Sequence, residues 1–387
     1  MNILFSCGDF FPNLGGAVSL TDDLARAFLR EGHAVTVVTR RQAGSFRLEK
    51  IHGYDVIRLA YPVPYEWFEW RREVILRSPG VLARIAAILI RRHIETVCIG
   101  LLDMSALYFL ALRPLLRFRL VVYLHGGETR KLPAAQRSFR KLLEMSLRAA
   151  DGVIAVSEDL AREAAQFCPN VAAKVRVIPN AIDWNHIAKA EKFEHAREFI
   201  AFVGRLTPEK DVATLVRAYG AVQEELGAVD LVIAGTGREE QKLREIAGAC
   251  PHPERVIFLG EVSRARALSV MKSGMFVALP SVTEGLPIVA VEALALGKAV
   301  IASRIGGIMA VVREGEHGAF FAPGDSEALS LLLKKYCSDR EALGKLEAAI
   351  RNSDLRRYDM GRVAREHLEM YRGGSQDFAL ACEGRAL

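Results

Sequence analysis

The 387-residue chain has no cysteine framework. Its six cysteines, Cys7, Cys98, Cys168, Cys250, Cys337 and Cys382, stand far apart, with no CxxC pair and no His-flanked cluster, so neither a disulfide scaffold nor a zinc site is indicated. A reducing compartment fits that pattern. Long apolar runs are also missing: no stretch approaches the roughly 18 residues that read as a membrane span. The N-terminus Met1-Asn2-Ile3-Leu4-Phe5-Ser6 carries no basic residue and soon meets Asp9, unlike a secretory signal. These absences predict a cytoplasmic chain, soluble or peripheral on the inner face of a membrane. Low-complexity tracts and short repeats are absent as well. With 51% apolar and 25% charged residues, disorder, a fibrous repeat and a coiled coil find no support.

What is present begins with length. A chain of 387 residues exceeds what one core usually holds, and two domains of about 150 to 200 residues each are expected. Charge is uneven: residues 1–190 hold 26 Lys+Arg and 18 Asp+Glu, net +8, and the remaining 26 Lys+Arg and 28 Asp+Glu give −2. A basic first half suits a phosphate-bearing acceptor, an anionic bilayer surface or nucleic acid, and equally suits scattered solvated arginines.

Short apolar runs alternate with amphipathic stretches from the start. Ile3–Cys7 reads as a buried strand, Leu20–Glu31 as a helix ending at Gly32, and Ala34–Thr39 as the next strand, which is a βαβ unit. Further strands are read at Val97–Gly100, Leu120–Leu124 and Gly152–Val156, giving a parallel sheet covered by helices. A charged, less regular stretch, residues 184–198, reads as a linker. A second α/β series follows, with strands at Phe199–Val203, Leu231–Ala234, Val256–Leu259, Met275–Leu279 and Ala299–Ala302.

The most informative segment is Pro280-Ser281-Val282-Thr283-Glu284-Gly285-Leu286-Pro287-Ile288-Val289-Ala290-Val291-Glu292. A strand ends at Pro280 and Gly285-Leu286-Pro287 opens a helix, so unpaired backbone N–H groups and the positive helix end suit a diphosphate. Glu284 before the helix and Glu292 within it suit a sugar and a ribose diol through charge-assisted hydrogen bonds. In Phe202-Val203-Gly204-Arg205-Leu206-Thr207-Pro208-Glu209-Lys210-Asp211, Gly204 permits close approach to a ligand. Arg205 and Lys210 lie where α/β sheets bind ligands and can neutralise a diphosphate. Taken alone, the Glu284/Glu292 pair reads as solvated helix charges, and the alternative for Arg205 and Lys210 is two surface cations beside a helix start.

From Phe202 to about Asp325 the chain resembles the retaining glycosyltransferases of the GT-B fold, family four, which move a sugar from a nucleotide-sugar to an acceptor. The resemblance implies two Rossmann-like, doubly wound parallel-sheet α/β domains facing each other across a cleft. An acceptor-binding domain would span residues 1–183 and a nucleotide-sugar domain residues 199–354. A crossover helix at residues 355–372 would return to the first domain, with a tail at residues 373–387. It further implies that Arg205 and Lys210 bind the diphosphate, Glu284 the donor sugar, the Gly285-Leu286-Pro287 backbone the phosphate, and Glu292 the ribose. Phe258-Leu259-Gly260 is similar to the loop that contacts the base. Phe11-Pro12-Asn13-Leu14-Gly15-Gly16 is similar to the family's glycine loop, so Gly15 and Gly16 are expected near donor and acceptor. His125-Gly126-Gly127-Glu128 is similar to its His-Gly motif, which implies His125 near the transferred sugar. Ala155-Val156-Ser157-Glu158 and Val177-Ile178-Pro179-Asn180 match too, Ser157 reading as a helix N-cap.

Two positions depart from the family pattern: Met309-Ala310 stands where Pro-Glu is common, and His317-Gly318 where Asn-Gly is common. No DxD pair is placed to hold a metal, so neither metal nor cofactor is expected, the nucleotide-sugar being a substrate. Retention by front-face attack follows from the resemblance. Candidate partners are a saccharide or lipid-linked acceptor and an anionic membrane surface, with nucleic acid set aside. The membrane reading draws on Tyr65, Trp67, Phe68 and Trp70 with Arg71, Arg72, Arg77, Arg84, Arg91 and Arg92, and on a second basic stretch, Arg130, Lys131, Arg137, Arg140, Lys141 and Arg148. A nucleotide-sugar epimerase, a phosphorylase and a non-catalytic glycan-binding protein remain alternatives.

Overall fold

The computed structural model describes residues 1–12, 15–41, 47–61, 71–126 and 137–373, and only the backbone of residues 71–78, 137 and 138. The chain divides into two compact units, Met1–Pro179 joined by the segment from Met360 onward, and Asn180–Asp359. The second unit therefore starts four residues before the expected linker and absorbs it. Asn180 is tied into that unit by its side-chain amide, which donates to the Leu286 carbonyl at 2.6 Å, and the Ile182 N–H bonds the Tyr358 carbonyl at 2.9 Å.

In the first unit the strands are β1 (Asn2–Cys7), β2 (Ala34–Arg40), β3 (Leu48–Ile51), β4 (Tyr54–Leu59), β5 (Thr96–Leu101), β6 (Arg119–Leu124), β7 (Gly152–Ala155) and β8 (Val175–Val177). They form one sheet in the order β3-β4-β2-β1-β5-β6-β7-β8. Central strands such as β1 and β2 are apolar on both faces because helices cover both, and Ile3, Leu4, Val37 and Val38 are fully buried. The all-parallel expectation fails at one edge, where β3 runs antiparallel to β4. The cause is the His52-Gly53 turn, with φ of 46° and 98°, the two left-handed residues that close a two-residue hairpin. The helix expected from Leu20 begins at Gly16.

The helix Met360–Arg372 packs on this first unit. Its Tyr371 carbonyl accepts from Thr96 Oγ1 at 3.3 Å, its Met370 carbonyl from Arg119 Nε at 2.9 Å, and the His367 ring lies 5.1 Å from that of Tyr123.

The second unit has β9 (Phe199–Val203), β10 (Asp230–Ala234), β11 (Val256–Gly260), β12 (Val277–Leu279), β13 (Val300–Ser303) and β14 (Gly318–Phe321), all parallel, in the order β11-β10-β9-β12-β13-β14. Strand order reverses between β9 and β12 here, and between β1 and β5 in the first unit. Loops leaving the carboxyl ends of such a strand pair diverge and open a crevice for ligands.

Candidate active site

In the second unit the loops after β9 and β12 flank that crevice. The first is held by its neighbour: Gly204 N–H bonds the Ala234 carbonyl at 3.0 Å, and Leu206 N–H the Thr236 carbonyl at 2.8 Å. At Gly235, with φ of +143°, an added Cβ would come within 1.9 Å of the Gly204 carbonyl oxygen, so only glycine allows the two loops to touch. Pro208–Lys210 then forms a 3-10 turn that ends at Asp211, in the left-handed region with φ of 45°.

That turn delivers Lys210 to Glu284. Their side chains form an ion pair through Glu284 Oε1, which also accepts from Ser281 Oγ at 2.8 Å. The Val282 N–H donates to the Glu209 carbonyl at 2.9 Å, joining the two loops by backbone as well. Arg205 is exposed and forms no ion pair with any described residue. Pro287 precedes the helix Ile288–Ala295, and no side chain caps that helix, while Asn180 fixes the Leu286 carbonyl. On the other side the Gly306–Met309 turn lies so close that a Cβ on Gly307 would meet the Glu284 carbonyl oxygen at 2.2 Å.

Glu292 sits in the middle of the helix, one turn in, with its side chain 8% exposed. Arg264 reaches its Oε1 through Nε at 3.3 Å and Nη2 at 3.2 Å. Phe258, Leu259 and Gly260 close β11 half-buried, with the Arg244 guanidinium 4.6 Å from the Phe258 ring centre, and the Gly260 carbonyl accepts from Gly235 N–H at 2.8 Å. Gly204, Arg205, Lys210, Leu259, Gly260, Glu284, Gly285, Leu286 and Pro287 thus lie in this unit at the ends of its strands or in the loops that follow them, and Glu292 in the helix after the β12 loop. Ser281, Arg264 and the anchoring role of Asn180 were not read from the sequence. Nothing local marks Arg264, whose partner is 28 residues away on another helix.

In the first unit His125 follows β6, its ring 4.2 Å from Tyr123. Burial lowers its pKa to about 4, against an opposing hydrogen bond to the Gly100 backbone and with a smaller contribution from His367, so the imidazole is neutral at pH 7. Gly15 precedes the helix Gly16–Arg30 with φ of −179°, an extended conformation open to any residue, and an added Cβ there would meet nothing within 4 Å. Packing among the described residues therefore does not require glycine at this position. Asn13, Leu14, Gly127 and Glu128 lie outside the described residues, as do Tyr65, Trp67, Phe68, Trp70, Arg130 and Lys131. At the β1/β5 reversal Asp103, unremarked in the sequence, is buried and accepts from Ser105 N at 3.0 Å and Oγ at 2.5 Å. Desolvation raises its pKa.

Two family models match consecutive parts of the chain: Glycosyltransferase Family 4 over residues 14–186 and Glycosyl transferases group 1 over residues 184–353. The phosphatidyl-myo-inositol mannosyltransferase of Mycobacterium leprae is 29% identical over 96% of this chain and 96% of its own length. Among solved structures, the sucrose-phosphate synthase of Thermosynechococcus elongatus superposes with a TM-score of 0.78 at 21% identity, covering 96% of this chain and 98% of that one. Anabaena HepE, solved in complex with UDP-glucose, also gives 0.78, at 20% identity, with 96% and 99% covered. The two Rossmann-like sheets and the two consecutive family matches agree, and the chain belongs to the family-four glycosyltransferases of the GT-B fold.

Proposed function

We propose that this glycosyltransferase moves a sugar from a nucleotide-sugar to a saccharide or lipid-linked acceptor with retention at the anomeric carbon and without a metal ion. The observation that carries the reading is the Lys210–Glu284 pair at the β9/β12 reversal, with Arg205 exposed on the same loop. In transfer the bond from the anomeric carbon to the diphosphate oxygen breaks, and the acceptor hydroxyl bonds to that carbon from the same face. The hydroxyl proton passes to the departing phosphate. Arg205 and Lys210 supply the fixed positive charge that the growing negative charge needs, the task a metal performs elsewhere. Glu284 Oε1 is engaged by Lys210 and Ser281, so this carboxylate is held as a sugar-binding group rather than poised as a nucleophile. A neutral His125 suits a hydrogen bond to a sugar hydroxyl. The open space at Gly15 suits close approach of donor or acceptor.

The donor is identified by screening nucleotide-sugars for hydrolysis and thermal stabilisation, since a ligand at 100 times its Kd adds about 2.7 kcal/mol. NMR of the product anomer then reads the stereochemistry. An inverted product, or turnover that stops with EDTA and resumes with magnesium, refutes the corresponding part. Acceptor-independent conversion of donor points to an epimerase, and a phosphate requirement to a phosphorylase.

An anionic membrane surface is part of the same proposal. On the helix Arg71–Arg91, Arg84, Ile90 and Arg91 are exposed, Ile90 by 57%, with no acidic residue between Val74 and Ile94. Among the described residues no helix is long and apolar enough to cross a membrane. Binding to phosphatidylglycerol vesicles at low salt, lost at high salt and absent on phosphatidylcholine, is the expected result. Equal binding to both, or none, refutes it.

A further inference from the structure

We infer that Arg264 is a positioning residue for the nucleoside, acting through Glu292. The inference rests on the ribose role proposed for that carboxylate.

Local helix energetics do not explain the pair. Arg264 opens the helix Arg264–Ser273, whose first turn holds no acidic residue, so its charge faces the positive end of the helix dipole. Glu292 is the fifth of eight residues in its own helix, away from the end that favours a carboxylate. Each charge is therefore neutral to unfavourable where it stands, and the reason for its placement lies between the helices. A carboxylate with only 8% of its side chain exposed has lost most of its water and needs a cation or several donors. Arg264, itself 29% exposed, provides two donors to a single oxygen, Oε1.

The backbone around Arg264 is held in place. Ser263 caps the helix, its Oγ accepting from Arg266 N–H at 3.3 Å, and Gly260 at the end of β11 is only three residues earlier. A guanidinium gripping one carboxylate oxygen through two N–H groups of its rigid fork pins that oxygen from a set direction, as an ammonium on freely rotating bonds does not. That orientation decides how well the group accepts from a vicinal diol.

The test measures discrimination between ribose and deoxyribose. Kd is determined by calorimetry for UDP and GDP and for their 2′-deoxy and 3′-deoxy forms, on the wild-type chain, Arg264→Gln, Arg264→Lys and Glu292→Gln. The wild-type protein is expected to prefer its ribonucleotide by about 10- to 100-fold over at least one deoxy form, the range for a hydrogen bond to a charged group. Arg264→Gln should retain nucleotide binding while that preference falls to about 3-fold or less, with Arg264→Lys between the two and Glu292→Gln as low as Arg264→Gln. A preference in Arg264→Gln equal to the wild-type value overturns the inference and leaves the ribose role of Glu292 standing. Absence of any preference in the wild-type protein overturns that role, and the inference with it. Should Arg264→Gln fail to fold, Arg264→Lys decides, and a wild-type preference there overturns the inference.

Discussion

Gly307→Ala should damage catalysis much more than folding. Glycine at this position lets the Gly306–Met309 turn rest against the donor loop: an added Cβ would stand 2.2 Å from the Glu284 carbonyl oxygen and 2.6 Å from that of Gly285. An ordinary contact needs about 3.4 Å, so one of the two backbones must yield by about 1.2 Å. The yielding groups are those that carry the Glu284 carboxylate and the Gly285-Leu286-Pro287 backbone. Overpacking costs about 1–3 kcal/mol of stability, which a domain of this size survives. A displacement of about 1 Å at a reacting centre costs about 100-fold in rate. We therefore expect kcat to fall by about two orders of magnitude while the variant remains folded and binds nucleoside diphosphate more weakly, the displaced Gly285-Leu286-Pro287 backbone being the proposed phosphate contact. Steady-state kinetics, calorimetry with the nucleoside diphosphate and urea denaturation separate the three effects. A kcat within threefold of wild type would refute the reasoning, as would a loss of activity that merely tracks unfolding.

Other substitutions follow from the same geometry. Arg205→Ala and Lys210→Ala should each lower kcat by about 100- to 1,000-fold with no recovery on adding metal. Arg205→Lys should recover only part, and wild-type kcat in both alanine variants would place the diphosphate elsewhere. Gly344→Ala, in the exposed middle of the helix Arg340–Arg351 with no atom within 4 Å of an added Cβ, should raise stability by about 0.5–1 kcal/mol; a lower unfolding midpoint would contradict this. His367 is fully buried and its pKa is lowered to about 4 by desolvation, so the unfolded chain binds its proton first. Its contribution to stability is complete above about pH 6.5 and is lost as pH falls toward 4, at up to about 1.4 kcal/mol per pH unit. Replacing it with Phe should flatten the acid limb of stability against pH, and an unchanged slope would exclude His367 as its source.

How far the site could be read from the chain depends on how each residue is held. Glu284, Gly285, Leu286 and Pro287 occupy a strand-to-helix turn whose conformation follows from residues adjacent in sequence, so a linear motif exposes them. Buried strands such as β9 and β10 are continuous apolar runs bounded by turn residues and are legible for the same reason. Of the four strands that escaped notice, β3, β8 and β14 lie at sheet edges and have only three or four residues, while β4 is a six-residue interior strand whose apolar run is broken by Asp55 and Arg58. Ion pairs escaped for a different reason. Lys210 meets Glu284 across 74 residues and Arg264 meets Glu292 across 28, and no local pattern selects one surface cation over its neighbours until the topology has brought two loops or two helices together. The close approaches are harder still. Gly235 and Gly307 look like ordinary loop glycines, and their necessity lies in a carbonyl oxygen contributed by another segment. Gly318 carries the same lesson at the position where His replaces the family's usual Asn: a Cβ there would stand 1.8 Å from the Val300 carbonyl oxygen. The preceding His317 is fitted by bonds to Ser353 at 2.8 Å and to the Val311 carbonyl at 3.2 Å. The glycine is held by the β13/β14 backbone and cannot vary, whereas a polar side chain before it can be exchanged for another that reaches the same kind of partners.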